Sequence, residues 1–287
     1  STTFGTWGSL VRIQLLRPSF ARPGCRGPKN PSSFRLMSTV AIVTPVYEDA
    51  QSFAALCQAL KQVEPETGAR LYVIAVDDGS LRAPPQLAAL REAGLNGEIL
   101  RLARNVGHQA AIAIGLAHAA KLSGLKACVV MDSDGEDKPE WVPKLIEAVA
   151  DESVDVAAAE RAKRSETLTF RGFYIIYKRL FKLLTGQTLR FGNFMALSPT
   201  ALERLSGMYE SFTHVAGAVV KAKLRRADVP TDRGVRYAGQ SKMNFPSLVL
   251  HGMRAVMVFS DLVLTRMALA MVAMAALVVA AVVGALI

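Results

Sequence analysis

A chain of 287 residues that is 51% hydrophobic and 20% charged carries enough apolar material for one large domain and something more, which excludes a disordered or collagen-like protein. Its net charge of +10 suggests a nucleic-acid partner. Six of the positive charges (Arg12, Arg17, Arg22, Arg26, Lys29 and Arg35) fall in residues 1–36, which hold no acid, and the remaining +4 suits an anionic membrane surface better than nucleic acid. The three cysteines, Cys25, Cys57 and Cys128, have no metal-ligand spacing and fit a reducing compartment.

Residues 1–36 are rich in Ser, Pro, Gly and Arg without a sustained apolar period. They read as a disordered basic leader, a non-native extension in preference to a transit peptide, because Met37 looks like a natural start. Strands and helices then alternate. Val40–Thr44 is a β-branched run, and Ser52–Val63 places Phe53, Leu56, Ala59 and Leu60 at helical spacing. Leu71–Val76 predicts a second strand, 86–94 a helix and Glu98–Leu102 a third strand. Ala110–Ala120 predicts a helix whose alanines and Gly115 suit close packing, followed by a strand over Ala127–Met131. Pro139–Val149 predicts another helix and Val154–Ala159 another strand. This rhythm means an α/β fold with a mostly parallel sheet covered on both faces, whose ligands bind beyond the carboxyl ends of the strands.

Phe173–Leu184 interleaves aromatic and aliphatic residues with Lys178, Arg179 and Lys182, and Phe245–Phe259 is amphipathic; core packing would explain the latter alone, but its position just before the apolar C-terminal stretch predicts C-terminal interfacial helices. Met267–Ile287 is 21 residues without a charge, enough for one helical crossing of a bilayer. Arg254 and Arg266 precede it and no charge follows, so the positive-inside bias puts the preceding domain in the cytoplasm. Either nothing follows the span or a second crossing belongs to a longer protein.

The chemistry concentrates at strand ends: Pro45–Asp49, Asp77–Ser80, Arg104–Gln109 and Asp132–Asp137. The last carries four carboxylates, Asp132, Asp134, Glu136 and Asp137, in six residues. Like charges so close need a positive partner, and one or two carboxylates plus substrate phosphates make a Mg²⁺ or Mn²⁺ site. A solvated acidic loop is the alternative. An extended backbone points Asp132 and Asp134 the same way, so both can face one ion. Asp77 and Asp78 fit an Asx turn as well as a ligand contact, and Asn105 fits a helix cap. No dinucleotide, P-loop or nucleophile-elbow pattern is present, and the four histidines, His108 at the site loop among them, lack ligand spacing.

Thr44-Pro45-Val46-Tyr47-Glu48-Asp49, Val76-Asp77-Asp78-Gly79-Ser80, Arg104-Asn105-Val106-Gly107-His108-Gln109 and Asp132-Ser133-Asp134-Gly135-Glu136-Asp137 occur in the order seen in glycosyltransferase family 2. Over roughly 39–260 the chain resembles its polyprenyl-phosphate glycosyltransferases, the group of dolichol-phosphate mannose synthase and bactoprenol glucosyltransferases. The resemblance implies a GT-A nucleotide-diphospho-sugar transferase fold, a UDP- or GDP-linked sugar donor and Mg²⁺ or Mn²⁺. It implies that Pro45, Tyr47, Asp49, Val76 and Asp78 line the nucleotide, with Asp132 and Ser133 beside it. Asp132, Asp134 and Glu136 become the metal ligands, Glu136 standing where the family commonly has Gln. Arg236, Ser241 and Lys242 match an R-x-x-G-x-S-K loop suited to a pyrophosphate, the alternative being a basic patch for anionic lipids. Arg161, Arg164 and Arg171 are expected at the acceptor phosphate.

One departure stands out: the Gly-Asp-Phe-Arg stretch of the lipid-phosphate glucosyltransferases is matched by Gly192-Asn193-Phe194-Met195. Asn193 cannot act as a general base, but an already anionic phosphate acceptor needs none. The catalytic set expected is Asp134, Arg236, Lys242 and Asn193. The domain reading is a leader over 1–36, a GT-A catalytic domain over 37–242, a juxtamembrane amphipathic region over 243–261 and a transmembrane helix over 262–287. The expected function is sugar transfer to polyprenyl phosphate at the cytoplasmic membrane face, with a homo-oligomer open. A different acceptor, or an impaired homologue serving as membrane scaffold, are the rival readings.

Overall fold

The computed structural model describes residues 11–15, 38–161, 168–189, 191–239 and 245–286. In chain order, β1 (Val11–Leu15) and β2 (Thr39–Val46) precede α1 (Ala50–Val63), β3 (Arg70–Asp77) and α2 (Leu87–Ala93). Then come β4 (Asn96–Leu102), α3 (His108–Ala119), β5 (Leu125–Val130) and α4 (Val142–Ala148). β6 (Val156–Arg161), α5 (Leu168–Thr185), β7 (Met195–Leu197), α6 (Pro199–Ser206), α7 (Glu210–Thr213) and α8 (Val215–Lys221) follow. β8 (Arg226–Thr231), α9 (Phe245–Met257) and α10 (Ser260–Leu286) complete the described chain.

The strands form one sheet in the order β1-β4-β3-β2-β5-β7-β6-β8. β2, β3, β4 and β5 pair in parallel, as do β6 and β8, whereas β7 runs antiparallel between β5 and β6. The predicted alternation is therefore correct in kind, and β7 and β8 are additions to it. Every parallel strand ends at the same edge, and β7, running the other way, presents its beginning there: Met195 lies opposite Val130. Period-two side chains supply both faces. Val40 and Ile42 of β2 pack with Phe53, Leu56 and Leu60 of α1, while Ala41 and Val43 pack with Ile112 and Leu116 of α3.

The expectation of disorder over 1–36 does not hold at Val11–Leu15, which pairs antiparallel with β4, Ile13 opposite Leu100. The physical reason is the alternation Val-Arg-Ile-Gln-Leu beside the otherwise open hydrogen-bonding edge of β4.

A third apolar cluster joins α5, α9 and α10: Phe181 meets Phe259 edge-on at 6.1 Å, with Ala255, Val256, Val258 and Val263 around them. The Tyr177 hydroxyl donates to the Gly252 carbonyl at 3.0 Å. The opposite faces of these helices leave Leu180, Leu183, Leu250, Met253 and Met257 exposed. α10 is 27 residues long and apolar enough to cross a membrane, and none of its most hydrophobic stretch is buried.

Close packing is tightest where α3 crosses the sheet. A Cβ on Gly115 would stand 2.4 Å from Val43 Cγ1 and 3.0 Å from Val76 Cγ2, both stiff β-branched side chains in the core. Gly115→Ala should therefore lower the unfolding free energy by about 1–3 kcal/mol through overpacking, although Ala favours helix by about 1 kcal/mol. Thermal and urea unfolding of the variant measures the sign.

Candidate functional site

Seven chain segments converge on the sheet edge where the parallel strands end. After β2, Glu48 adopts φ 50, a conformation rare for a side chain with Cβ. It is held there because its carboxylate accepts from the backbone N–H groups of Leu81, Arg82 and Ala83 at 2.7–3.2 Å, and its own N–H donates to Ser80 Oγ at 2.7 Å. Those bonds, Leu81 foremost, lower the pKa of Glu48. Glu48 thus stitches the end of β2 to the loop after β3, a role that no sequence pattern announces.

Within the same stretch, Asp49 caps α1 by accepting from Ser52 N at 3.1 Å, and Tyr47 is 46% exposed at the cleft mouth. Pro45 presents its carbonyl to the buried Ser133 hydroxyl at 3.2 Å, tying β2 to the acidic run. Asp77 closes an Asx turn by accepting from Ser80 N at 3.0 Å. Asp78, buried, instead accepts from Val106 N at 2.7 Å and Gly107 N at 3.0 Å. Burial raises the pKa of Asp78, against the lowering by those two N–H groups. Asp78 therefore fixes the loop before α3. Asn105 is not the cap: Gly107 occupies that position and no side chain caps the helix. Val76, expected to line the nucleotide, has its side chain fully buried beneath α3 against Gly115, which leaves only its backbone to face the cleft.

The acidic run braces itself and then meets cations. Asp137, buried, accepts from Asp132 N at 2.9 Å, and Asp134 Oδ1 accepts from Glu136 N at 2.9 Å. The segment after β8 lies alongside: Gly234 N donates to the Glu136 carbonyl and Tyr237 N to the Asp134 carbonyl, both at 2.9 Å. A Cβ on Gly234 would fall 2.0 Å from the Gly135 carbonyl oxygen, so only glycine permits this approach. Arg236 pairs with Asp134 Oδ2 at 2.7 Å and with Glu136 Oε1 at 3.0 Å, and Arg233 pairs with Glu136 Oε2. Burial raises the Glu136 pKa, but Arg233 and Arg236 hold it below the ordinary value overall. Asp232 accepts from Lys138 Nζ at 2.6 Å and Trp141 Nε1 at 2.7 Å, pinning the start of the segment.

For the metal reading, Glu136 pairs with the two arginines. Among the described residues, no group of three His, Cys, Asp or Glu side chains is arranged to hold a metal. Asp132 and Asp134 are left as a two-carboxylate set, which fits an ion that takes its other ligands from water and phosphate.

Asn193 precedes β7 and meets His108: Asn193 Nδ2 lies 3.1 Å from His108 Nε2, which is 3.4 Å from Asp132 Oδ1. Desolvation lowers the His108 pKa, opposed by Asp137, Asp134 and Asp78, although the side chain keeps 42% of its surface open to the cleft. The expected Ser241, Lys242 and Arg164 lie outside the described residues. Arg161 ends β6 at the site edge and Arg171 lies in α5, with side chains outside the description.

Behind this cleft, His214 Nδ1 caps α8 by accepting from Gly217 N at 3.0 Å, so its Nε2 carries the proton toward His251 Nε2, 3.3 Å away on α9. Burial, then the His251 charge, pushes the His214 pKa down to about 3. A depressed histidine pKa leaves stability intact above the unfolded value near 6.5 and removes it as the pH falls below that, because the unfolded chain binds the proton more readily. The melting temperature should fall from pH 7.5 to pH 5 by an amount equivalent to on the order of 2 kcal/mol. His214→Asn, which retains a capping side chain, should flatten that slope in a thermal-shift series.

The profile of Glycosyl transferase family 2 matches residues 41–210, more than half of the chain, and the protein belongs to that family. It is 27% identical over 214 residues to the undecaprenyl-phosphate 4-deoxy-4-formamido-L-arabinose transferase of Salmonella gallinarum, a match covering 73% of this chain. The chain spans 64% of that protein's length. The glycosyltransferase YkcC of Bacillus subtilis is 28% identical over 228 residues, covering 77% of this chain and 68% of that protein. Among solved structures, glucosyl-3-phosphoglycerate synthase of Mycobacterium tuberculosis in complex with Mn²⁺, UDP-glucose and phosphoglyceric acid superposes with a TM-score of 0.56 at 16% identity, covering 79% of this chain and 80% of that one. The fold is GT-A.

Proposed function

We propose that this family 2 member transfers a sugar from a UDP- or GDP-linked donor to polyprenyl phosphate, with Mg²⁺ or Mn²⁺, from a catalytic domain at the cytoplasmic face of a membrane that α10 spans. The observation that carries the reading is the pair Asp132 and Asp134 at the end of β5, faced by Arg236 from the segment after β8. The undecaprenyl-phosphate transferase among its relatives, the Mn²⁺ and UDP-glucose held by a protein of like fold, and the apolar face shared by α5, α9 and α10 all support it.

In this reading Asp132 and Asp134 would hold the divalent ion. Once bound, the ion supplies Lewis-acid stabilisation of the charge that grows on the leaving nucleoside diphosphate. Tyr47, Asp49 and the backbone of Pro45 and Asp78 border the nucleotide. Arg236 exchanges Asp134 for the pyrophosphate, with Ser241 and Lys242 following it in the sequence. An oxygen of the acceptor phosphate attacks the anomeric carbon, and the bond from that carbon to the diphosphate breaks with its electron pair on the departing oxygen. The acceptor is already an anion, so Asn193 has no proton to remove; its amide orients His108 beside Asp132.

Membranes containing the protein should transfer labelled sugar from one of a panel of UDP- and GDP-sugars to undecaprenyl phosphate, and chelation should abolish the product. Asp134→Ala should cut the rate about 10²–10³-fold, the scale of removing one transition-state electrostatic contact. Transfer to no phosphate acceptor while nucleotide still binds would sink the reading, and a gain with Asn193→Asp would mark a disabled enzyme instead.

Glu136→Gln separates the two roles considered for that residue. As the partner of Arg233 and Arg236, its replacement leaves the metal concentration for half-maximal activity unchanged and lowers the donor KM by freeing Arg236. A higher metal requirement would restore Glu136 to the ligand set.

A further inference from the structure

Arg254 lies on α9, three residues after His251, and is half-buried. Its guanidinium reaches the junction before α3: Nη1 is 3.9 Å from the place a Cβ on Gly107 would take. Among the described residues it has no hydrogen-bond or ion-pair partner from its side chain. A half-buried guanidinium has five donors to satisfy, and leaving them without an anion costs free energy that a bound anion would recover. Asp78 does not serve: its oxygens accept from Val106 N and Gly107 N, and it forms no ion pair with Arg254.

The surroundings supply further donors. Gly107 offers no side-chain cap to the 12-residue α3. Gln109 in its first turn is 1% exposed and accepts from Val215 N at 2.7 Å through its Oε1, while the first-turn N–H groups of the helix have no intrahelical partner. A guanidinium without a partner and a positive helix end together select an anion, and a compact tetrahedral one suits both. The place also fits the chemistry. Next to Gly107 stands His108, whose Nε2 is 3.4 Å from Asp132 Oδ1, so an anion on Arg254 sits beside the carboxylates of the donor end. On the other side, α9 carries the exposed Leu250, Met253 and Met257 and leads into α10.

We propose that Arg254, with the first turn of α3, receives the phosphate monoester of the acceptor. The inference rests on the transferase reading and adds to it a residue outside the group Arg161, Arg164 and Arg171 read from the sequence. A phosphate monoester can come from a lipid headgroup or from a soluble ester.

The test uses the full chain in detergent, and it measures binding of undecaprenyl phosphate, 3-phosphoglycerate and UDP or GDP separately from transfer. Arg254→Ala should raise the acceptor Kd and KM about 10–100-fold, the scale of losing one charged hydrogen-bonding partner, and leave kcat and nucleotide binding in place. Arg254→Lys should recover part of the loss. Retained nucleotide binding shows that the variant is folded. Stronger competition by 3-phosphoglycerate than by the lipid would assign the phosphate to a soluble ester. Unchanged acceptor affinity in Arg254→Ala overturns the inference and leaves the transferase reading intact; so does an equal loss of acceptor and nucleotide binding. A wild-type protein that binds neither phosphate ester overturns both.

Discussion

Four carboxylates in six residues set the problem that the rest of this molecule solves. Without counter-charge their mutual repulsion would open the loop after β5 or force protons onto it. Two of them are absorbed locally: Asp137 binds the Asp132 N–H, and Asp134 binds the Glu136 N–H. The rest of the charge is met by Arg233 and Arg236 from a segment nearly a hundred residues away, anchored through Asp232 to Lys138 and Trp141. The acidic loop and the basic segment hold each other in place, and neither has a reason to keep its shape alone. Under the proposed function such a site is poised for exchange, because an incoming diphosphate can replace carboxylate beside arginine and a cation can replace arginine beside carboxylate.

That exchange needs every participant at one sheet edge, and topology delivers them. β2, β3, β4, β5, β6 and β8 share a direction, so their ends coincide. β7 is reversed, so its start coincides with those ends, and this alone brings Asn193 within reach of His108 and Asp132. An amide joined to β5 by a parallel crossover would reach the opposite edge instead. The reversal also explains how a three-residue strand can matter: its Met195, Ala196 and Leu197 are fully buried, and their pairing on both sides fixes the position of the residue before them.

Much of this was readable in the sequence because the signals were periodic or crowded. The alternation of short β-branched runs with helical stretches gave the parallel sheet, and polar clusters at strand ends gave the edge. β7 escaped notice because three uniformly apolar residues have no period to detect. β8 escaped because Arg-Ala-Asp-Val-Pro-Thr contains a proline, which a central strand excludes; β8 is the outermost strand, where Pro230 costs little. Individual site residues were legible by type more than by role. Asp78 and Asp49 are spent on backbone N–H groups, Val76 on the core, and Glu136 on arginines whose approach depends on a Gly–Gly contact with no sequence signature.

The apolar end of the chain is tied to this site by cations on carbonyls rather than by packing alone. Lys221 of α8 donates to the Val258 carbonyl at 2.9 Å and pairs with Glu210 at 3.2 Å and Asp261 at 3.4 Å, clamping the turn between α9 and α10. Arg266 of α10 donates to the carbonyls of Leu183 and Leu184 at 3.0 and 3.1 Å, closing the end of α5. Carbonyls at a helix end carry negative partial charge and no internal partner, so such ties are favourable where side-chain ion pairs at a surface contribute little. With α10 in a bilayer, α5 and α9 cannot swing freely, and their exposed leucines and methionines stay on the same side as the span. The distance from the bilayer surface to Asp132 is then a property of the fold. Under the proposed function, a lipid acceptor would bring its headgroup along α9 to the site, because these ties leave the site little freedom to move toward the lipid.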